Sequence, residues 1–274
     1  MAIPEQQVFE RSRKLAGWWY NQRLGKLKDL AHHSMSTNPF LLPFLVKFHG
    51  AEEPRQLAAL NVAAHLMAGH HTGFGKLIDE KVLPNVFGTT KLDKATRKRL
   101  ALTEAMFDDV DHIVKRDDGD ALLSLKASRW TIQLGQALSL NRNFAEIRDE
   151  VAKGNRSFRE IVIGVFYGSY EDLTDKYYLA CGVKKTANAA DHDLIDVSEY
   201  VSIKSGKDFW SWINNGAAYT ENALLAGLSQ GFKDGFDAEN STQYIEEFVA
   251  AYLDAVSNDD GKIDFEEVLG RINS

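Results

Sequence analysis

One cysteine, Cys181, is all that this chain of 274 residues brings to thiol chemistry. That excludes an internal disulfide framework and a zinc site built on cysteines. Long apolar runs are also missing, and none approaches the ~20 residues needed to cross a bilayer. The opening residues Met1-Ala2-Ile3-Pro4-Glu5-Gln6-Gln7 have neither the basic segment nor the apolar stretch of a signal peptide. A cytoplasmic location without a membrane partner is the expectation. Excess positive charge is lacking too: 39 acidic against 32 basic residues leave a net charge of −7. Nucleic-acid binders usually present a basic surface, but local potential in a cleft matters more than the total. There is no internal repeat and no low-complexity segment. The apolar share of 44% and the charged share of 26% are those of an ordinary globular protein, long enough for one large domain or a core with helical additions.

Apolar spacing along the chain predicts an amphipathic helix from about Glu5 to Leu30, carried by Phe9, Leu15, Trp18, Trp19 and Leu24. Pro39 and Pro43 mark a break. A second helix is expected over Pro54–Ala68. A third follows the His70-His71-Thr72-Gly73-Phe74-Gly75 stretch, from Lys76 to Leu83, and stops at Pro84. The period then changes. Phe107–Val114 reads as a strand, Arg116-Asp117-Asp118-Gly119 as a turn and Ala121–Ala127 as a second strand, because a two-residue Asp-Gly loop is a strong hairpin signal. Thr131–Ala152 reads as a helix, and the unbroken apolar run Ile161–Tyr167 as a central strand buried on both faces. Strand, helix and buried strand make a crossover with a parallel pair. Further strands are expected at Lys176–Val183 and Leu194–Ile203, and helices from Asp208 onward.

With Asp118-Gly119 as the loop, Asp117 pairs with Asp120, and Asp111 lies opposite Lys126, Ile113 opposite Ser124. Opposed residues have Cβ atoms roughly 5 Å apart. Alternation puts Asp109, Asp111, Ser124 and Lys126 on one face, and Val110, Val114, Leu123 and Leu125 on the other. A carboxylate and an ammonium set together on a hairpin with a buried back suit phosphodiester hydrolysis. A hard cation such as Mg²⁺ takes oxygen ligands and keeps several waters. Asp111 would anchor it, and the Leu125 backbone carbonyl could be a second ligand. Lys126 would orient the attacking water and offset charge in the transition state. The same spacing also fits a surface hairpin with a cross-strand ion pair, which is common and weak.

Phe107-Asp108-Asp109-Val110-Asp111-His112 followed by Ser124-Leu125-Lys126-Ala127 resembles the PD-(D/E)XK nuclease motif. The likeness extends, in matching order, through Asn38-Pro39-Phe40, Gly73-Phe74-Gly75-Lys76-Leu77-Ile78-Asp79-Glu80-Lys81, Trp130-Thr131-Ile132-Gln133-Leu134, Val165-Phe166-Tyr167-Gly168, Leu173-Thr174-Asp175-Lys176-Tyr177 and Phe209-Trp210-Ser211-Trp212. Together these blocks resemble the type II restriction endonucleases that cut RGGNCCY. The resemblance implies an α/β fold with a restriction-endonuclease-like mixed central sheet flanked by helices, and further helical segments at both ends. It implies a helical, dimerising segment over 1–55, a catalytic core over 56–215 and a C-terminal helical region over 216–274. A homodimer would act on double-stranded DNA with Mg²⁺, replaceable by Mn²⁺, and leave 5′-phosphate ends; a cognate DNA methyltransferase would protect the host. A catalytically silent DNA-binding protein and a repair nuclease are the alternatives. The chain departs from the motif at one place, where Ser124 stands in the position of the usual acid. Glu80, ending the helix before the hairpin, is the first substitute, and Asp109 the second.

Other signals compete. Val256–Glu267 has the spacing of an EF-hand loop, but Val256 occupies the first ligand position, where an acid is rarely dispensable. His65, His70 and His71 lie at a helix end with no evident fourth ligand, and Gly73-Phe74-Gly75-Lys76 lacks the upstream glycine of a phosphate loop. DNA contacts are expected among Lys94, Arg97, Lys98 and Arg99 before the hairpin, Asn141, Arg142 and Asn143, and Lys184, Lys185 and Asn188.

Overall fold

A computed structural model describes residues 1–30, 39–126, 132–185, 192–235, 238–257, 260–266 and 270. Helix α1 (Glu5–Leu30) takes up the expected span. Helices α2 (Leu42–His49) and α3 (Pro54–Leu77) follow, then a π-helical turn over Ile78–Val82 and α4 (Leu83–Phe87). Next come β1 (Thr90–Lys91), α5 (Lys94–Arg99), β2 (His112–Val114), β3 (Asp120–Lys126), α6 (Leu134–Ala152) and β4 (Phe158–Val165). The chain continues through α7 (Asp175–Ala180), β5 (Val201–Ser205), α8 (Lys207–Ile213), α9 (Thr220–Gly235) and α10 (Ala238–Val256).

Two compact units divide the molecule. One comprises Met1–Leu15 and Gly75–Gln230, the other Ala16–Phe74 and Gly231–Ser274. The N-terminal residues belong with the sheet because Ile3 N–H donates to Asn214 Oδ1 (2.7 Å) and the Tyr219 hydroxyl to the Ile3 carbonyl (2.7 Å).

The first unit holds a five-stranded mixed sheet in the order β1-β2-β3-β4-β5. β1, β2 and β3 are mutually antiparallel neighbours, and β3, β4 and β5 run parallel. Helices cover it, so the class is α/β. β4 takes the central place that its apolar run predicts, with Ile161 to Val165 buried and α6 as the crossover from β3. On one face Ile113, Leu122, Ile161, Ile163 and Val201 pack against Leu140, Phe144 and Ile147 of α6 and Tyr177 and Leu179 of α7. On the other face Gly164 admits the Phe209 ring of α8 so closely that a Cβ would stand 2.5 Å from it and 2.7 Å from Leu123. In the second unit Leu42, Leu57, Val62 and Leu66 form a core with Phe248, Val249 and Tyr252.

Four local expectations are corrected. The His70–Gly75 stretch does not break a helix; it lies within α3, where Gly69 and Gly73 make room for the Arg23 guanidinium and Trp19 Nε1 donates to the Gly73 carbonyl (3.2 Å). The strand expected at Phe107–Val114 is confined to its last three residues, after a 3₁₀ turn at Ala105–Phe107. Lys176–Val183 is helical at α7, with Asp175 in the first turn, where it complements the helix dipole, and Gly182 at φ 80° just beyond the end. Of Leu194–Ile203, only the last residues join a strand. The EF-hand-like span and Asn188 fall wholly or partly outside the described residues.

Candidate active site

The hairpin differs from its expected register by two residues. Its connection runs through Lys115–Gly119, and His112 pairs with Leu123, Ile113 with Leu122 and Val114 with Ala121. The longer loop is held by charge: Lys115 pairs with Asp120 and Arg159 with Asp118. One further step along the ladder sets Asp111 opposite Ser124, not opposite Lys126. Only an odd slip would exchange the two faces, so Asp111, Ser124 and Lys126 still share one.

Asp111 lies just before β2. Its N–H donates to the Leu123 carbonyl (2.8 Å) and its own carbonyl accepts from Leu92 N–H (2.8 Å). Its Oδ2 accepts the N–H of Leu125 (2.6 Å), so the carboxylate is fixed against the end of β3. The segment leading to it is clamped by Arg97 of α5. That guanidinium donates to the carbonyls of Leu92 (2.9 Å), Val110 (2.6 Å) and Phe107. Burial pushes the Asp111 carboxyl above the ordinary carboxylate range; the positive charge of Lys126 and the Leu125 N–H oppose this, and the negative charge of Asp79 adds to it.

Lys126 closes β3 and is only 9% exposed. Among the described residues no hydrogen bond or ion pair holds its ammonium, although its charge acts on Asp111. Ser124 is fully buried, and its Oγ has no hydrogen-bond partner among the described residues. The group lies at the carboxyl end of parallel strand β3, the end at which open α/β sheets bind ligands. A cleft of about 720 Å³ lined by Arg116, Asp118, Arg159, Glu160 and Trp212 belongs instead to the opposite end of β3 and β4.

Four neighbours, Asp79, Lys91, His112 and Thr89, have no role in the site expected from sequence. Asp79, in the π-helical turn, presents Oδ1 to His112 Nε2 (2.7 Å) and pairs through Oδ2 with Lys91 of β1. Fully buried His112 completes its bonding through Nδ1 to the Thr89 hydroxyl (3.0 Å). Burial would raise the Asp79 pKa, but the hydrogen bonds from His112 and Lys91 outweigh it and hold that carboxyl below its usual range. The signal for this cluster is His112 itself: a histidine inside a buried strand must find polar partners.

The remaining expected residues are dispersed. Glu80 is exposed, and among the described residues no hydrogen bond or ion pair draws it to the cluster. Asp109 accepts from Asn143 of α6 (2.9 Å). Asn141 is buried and staples the chain internally, donating to the Ile195 carbonyl (2.8 Å) and accepting Ile195 N–H (3.0 Å), so it is not on a DNA-facing surface. Arg142, Lys184 and Lys185 are exposed, and the Lys185 ammonium lies 3.3 Å from the centre of the Tyr178 ring.

Among the described residues no three His, Cys, Asp or Glu side chains are grouped to hold a metal by themselves. Magnesium needs less, since one or two carboxylates suffice when waters complete the shell. The residues fit that requirement: Asp111 keeps lone pairs beyond its single backbone hydrogen bond, and on the same sheet face the buried Ser124 hydroxyl has no hydrogen-bond partner among the described residues. No family model matches the chain, and no curated protein was found similar to it.

Proposed function

We propose that the chain is a Mg²⁺-dependent endonuclease of double-stranded DNA. In this reading it is of the type II restriction kind, acting as a homodimer at an RGGNCCY-like site beside a protecting methyltransferase. The observation that carries the reading is Lys126, a largely buried lysine at the carboxyl end of β3, on the same sheet face as the Asp111 carboxyl, on which its charge acts. An ion pair kept only for stability would bring the two groups into contact. Here they make no such contact, and both retain free valence for a third component.

Asp111 would hold the Mg²⁺, with the Leu125 carbonyl as a further oxygen ligand. When bound, the ion polarises the phosphate and lowers the pKa of a coordinated water. Lys126 orients the attacking water and offsets negative charge on the phosphorane-like transition state. The Arg97 clamp and the Leu125 N–H keep Asp111 from rotating away. Residues contributed by the carboxyl end of β3 would thus work against one DNA strand, and a two-fold partner against the other.

Incubation with plasmid DNA and Mg²⁺ tests the reading, and discrete fragments are expected. Lys126→Ala should lower cleavage by at least ~10²-fold, the usual scale for losing a transition-state charge contact, with duplex binding retained. A fully active Lys126→Ala protein would exclude the assignment. The serine at position 124 favours one second reading, a catalytically silent DNA-binding protein; tight duplex binding without cleavage in either Mg²⁺ or Mn²⁺ would establish it.

A further inference from the structure

β3 and β4 run parallel, so the exit from β4 lies at the same end of the sheet as Lys126. The ladder pairs Lys126 with Val165, the last residue of β4. Neighbouring strands lie about 4.8 Å apart, and two residues of chain span at most about 7 Å. The Cα of Tyr167 therefore stands within about 12 Å of that of Lys126. Val165 and Phe166 are buried, whereas Tyr167 is 53% exposed and its hydroxyl makes no hydrogen bond among the described residues. Exposure is ordinary for a single tyrosine; the backbone that presents this one is not. The Val165 carbonyl accepts Gly206 N–H (2.9 Å), the Phe166 carbonyl accepts Trp210 Nε1–H (2.8 Å) and the Gly168 carbonyl accepts the Ser205 hydroxyl (2.8 Å). Gly168 and Gly206 lie at positive φ, 104° and 51°, and a Cβ at Gly206 would stand 2.7 Å from the Gly168 carbonyl oxygen. The turn is thus fastened to the end of β5 and to α8 on both sides of Tyr167, and the exposed ring is carried on a fixed backbone.

Turns at the carboxyl ends of parallel strands are where open α/β sheets contact their ligands. We propose that Tyr167 is a substrate contact, its hydroxyl donating to a phosphate of the cleaved strand within about two nucleotides of the cut. This rests on the endonuclease reading above. Phosphates of one strand recur every ~3.4 Å along the helix axis, so the distance from Lys126 matches a neighbouring phosphate of the strand on which Lys126 acts. Tyrosine hydroxyls are among the groups that bond phosphate oxygens and set the register of a protein on the duplex. The fastened turn matters energetically, because a side chain already held in place loses less freedom on binding. Ser205 and Trp210 are therefore positioning residues for Tyr167.

Duplex affinity of the full-length protein in Ca²⁺, measured by fluorescence anisotropy, reads this contact without turnover. Tyr167→Phe should weaken binding by roughly 10-fold, the scale of one hydrogen bond to a charged group, and Tyr167→Ala by at least as much. Tyr170→Phe removes a hydroxyl that donates to the Ile203 carbonyl (3.3 Å) and should stay within about 2-fold of wild type, less than the loss of such a bond. Circular dichroism of each variant checks the fold. Replacing the phosphates near the cut one at a time by uncharged methylphosphonate then identifies the partner. At one position the replacement should weaken the wild type several-fold and add little to Tyr167→Phe, as coupled groups do in a double-mutant cycle. Wild-type affinity in Tyr167→Ala overturns the proposal. A loss in Tyr167→Phe that is the same whichever phosphate is replaced also overturns it, and makes Tyr167 a support of the turn. If the wild-type protein does not cut duplex DNA in Mg²⁺, the endonuclease reading fails and this contact with it.

Discussion

Burial holds the Asp111 carboxyl above the ordinary carboxylate range, and the negative charge of Asp79 pushes the same way against Lys126 and the Leu125 N–H. Folding therefore favours the protonated form of this group when no cation compensates it. The stabilisation it gives is complete below the pKa of the unfolded chain and is lost as the pH rises through the higher, folded value. At neutral pH the ionised residue is therefore a cost to stability. Asp111→Asn should accordingly stabilise the protein in EDTA at pH 7.5 by about 1 kcal/mol, the common scale for relieving such a site. At pH 3 to 4 the gain should vanish, because the wild-type carboxyl is then neutral as well. Urea denaturation at the two pH values measures both. An equal gain at both would mean that shape, not charge, sets the cost. Asp79 behaves oppositely: His112 and Lys91 hold its pKa down, so its contribution is present at neutral pH and lost on acidification.

Elements differ in how far the sequence reveals them, and the reason is the range of the interactions that set them. α1 and β4 are local in this sense. The periodic apolar residues of Glu5–Leu30 and the continuous run Ile161–Val165 state their own burial. The faces of the hairpin are legible because alternation depends only on parity, whereas its register is not. Register follows loop length, and the loop is set by pairs such as Arg159 with Asp118, which join residues distant in sequence. α7 reads as a strand because a short run such as Tyr177-Tyr178-Leu179-Ala180 satisfies helix and strand alike. That Asp79 reaches His112 and Lys91 is not legible either, because a regular helix does not reveal where a π turn will rotate its side chains. Gly164 belongs to the same class: nothing in Ile-Val-Ile-Gly-Val announces that Phe209 of α8 will occupy the space above it. Gly164→Ala should destabilise by about 1–3 kcal/mol, the range for overpacking a filled core. The denaturation midpoint should fall with little change in slope. An unchanged midpoint would show that α8 can move away from β4 without cost.

At the scale of the molecule, a net charge of −7 would oppose the polyanionic partner of the proposed reading. Screening decides how much that matters. At physiological salt the Debye length is about 8 Å, so the charges near the contact govern binding and distant ones are muted. α5 supplies such a local reversal. Lys94, Lys98 and Arg99 are exposed, and among the described residues none is held in an ion pair. The fourth cation, Arg97, turns inward and ties the helix to the residues preceding Asp111. A surface that follows duplex phosphates would therefore be rigidly linked to the carboxylate that acts on one of them. Each phosphate contact releases counterions and adds about 0.9 to the slope of log affinity against log salt. Replacing Lys94, Lys98 and Arg99 together by glutamine should reduce that slope by about 3. Fluorescence anisotropy of a labelled duplex in Ca²⁺, which keeps the strand intact, provides the reading at several salt concentrations. The loss should be similar for specific and unrelated sequences, because phosphates carry no base identity. If binding persists with the slope unchanged, the duplex lies away from α5, and the exposed Arg142, Lys184 and Lys185 are the next residues to replace.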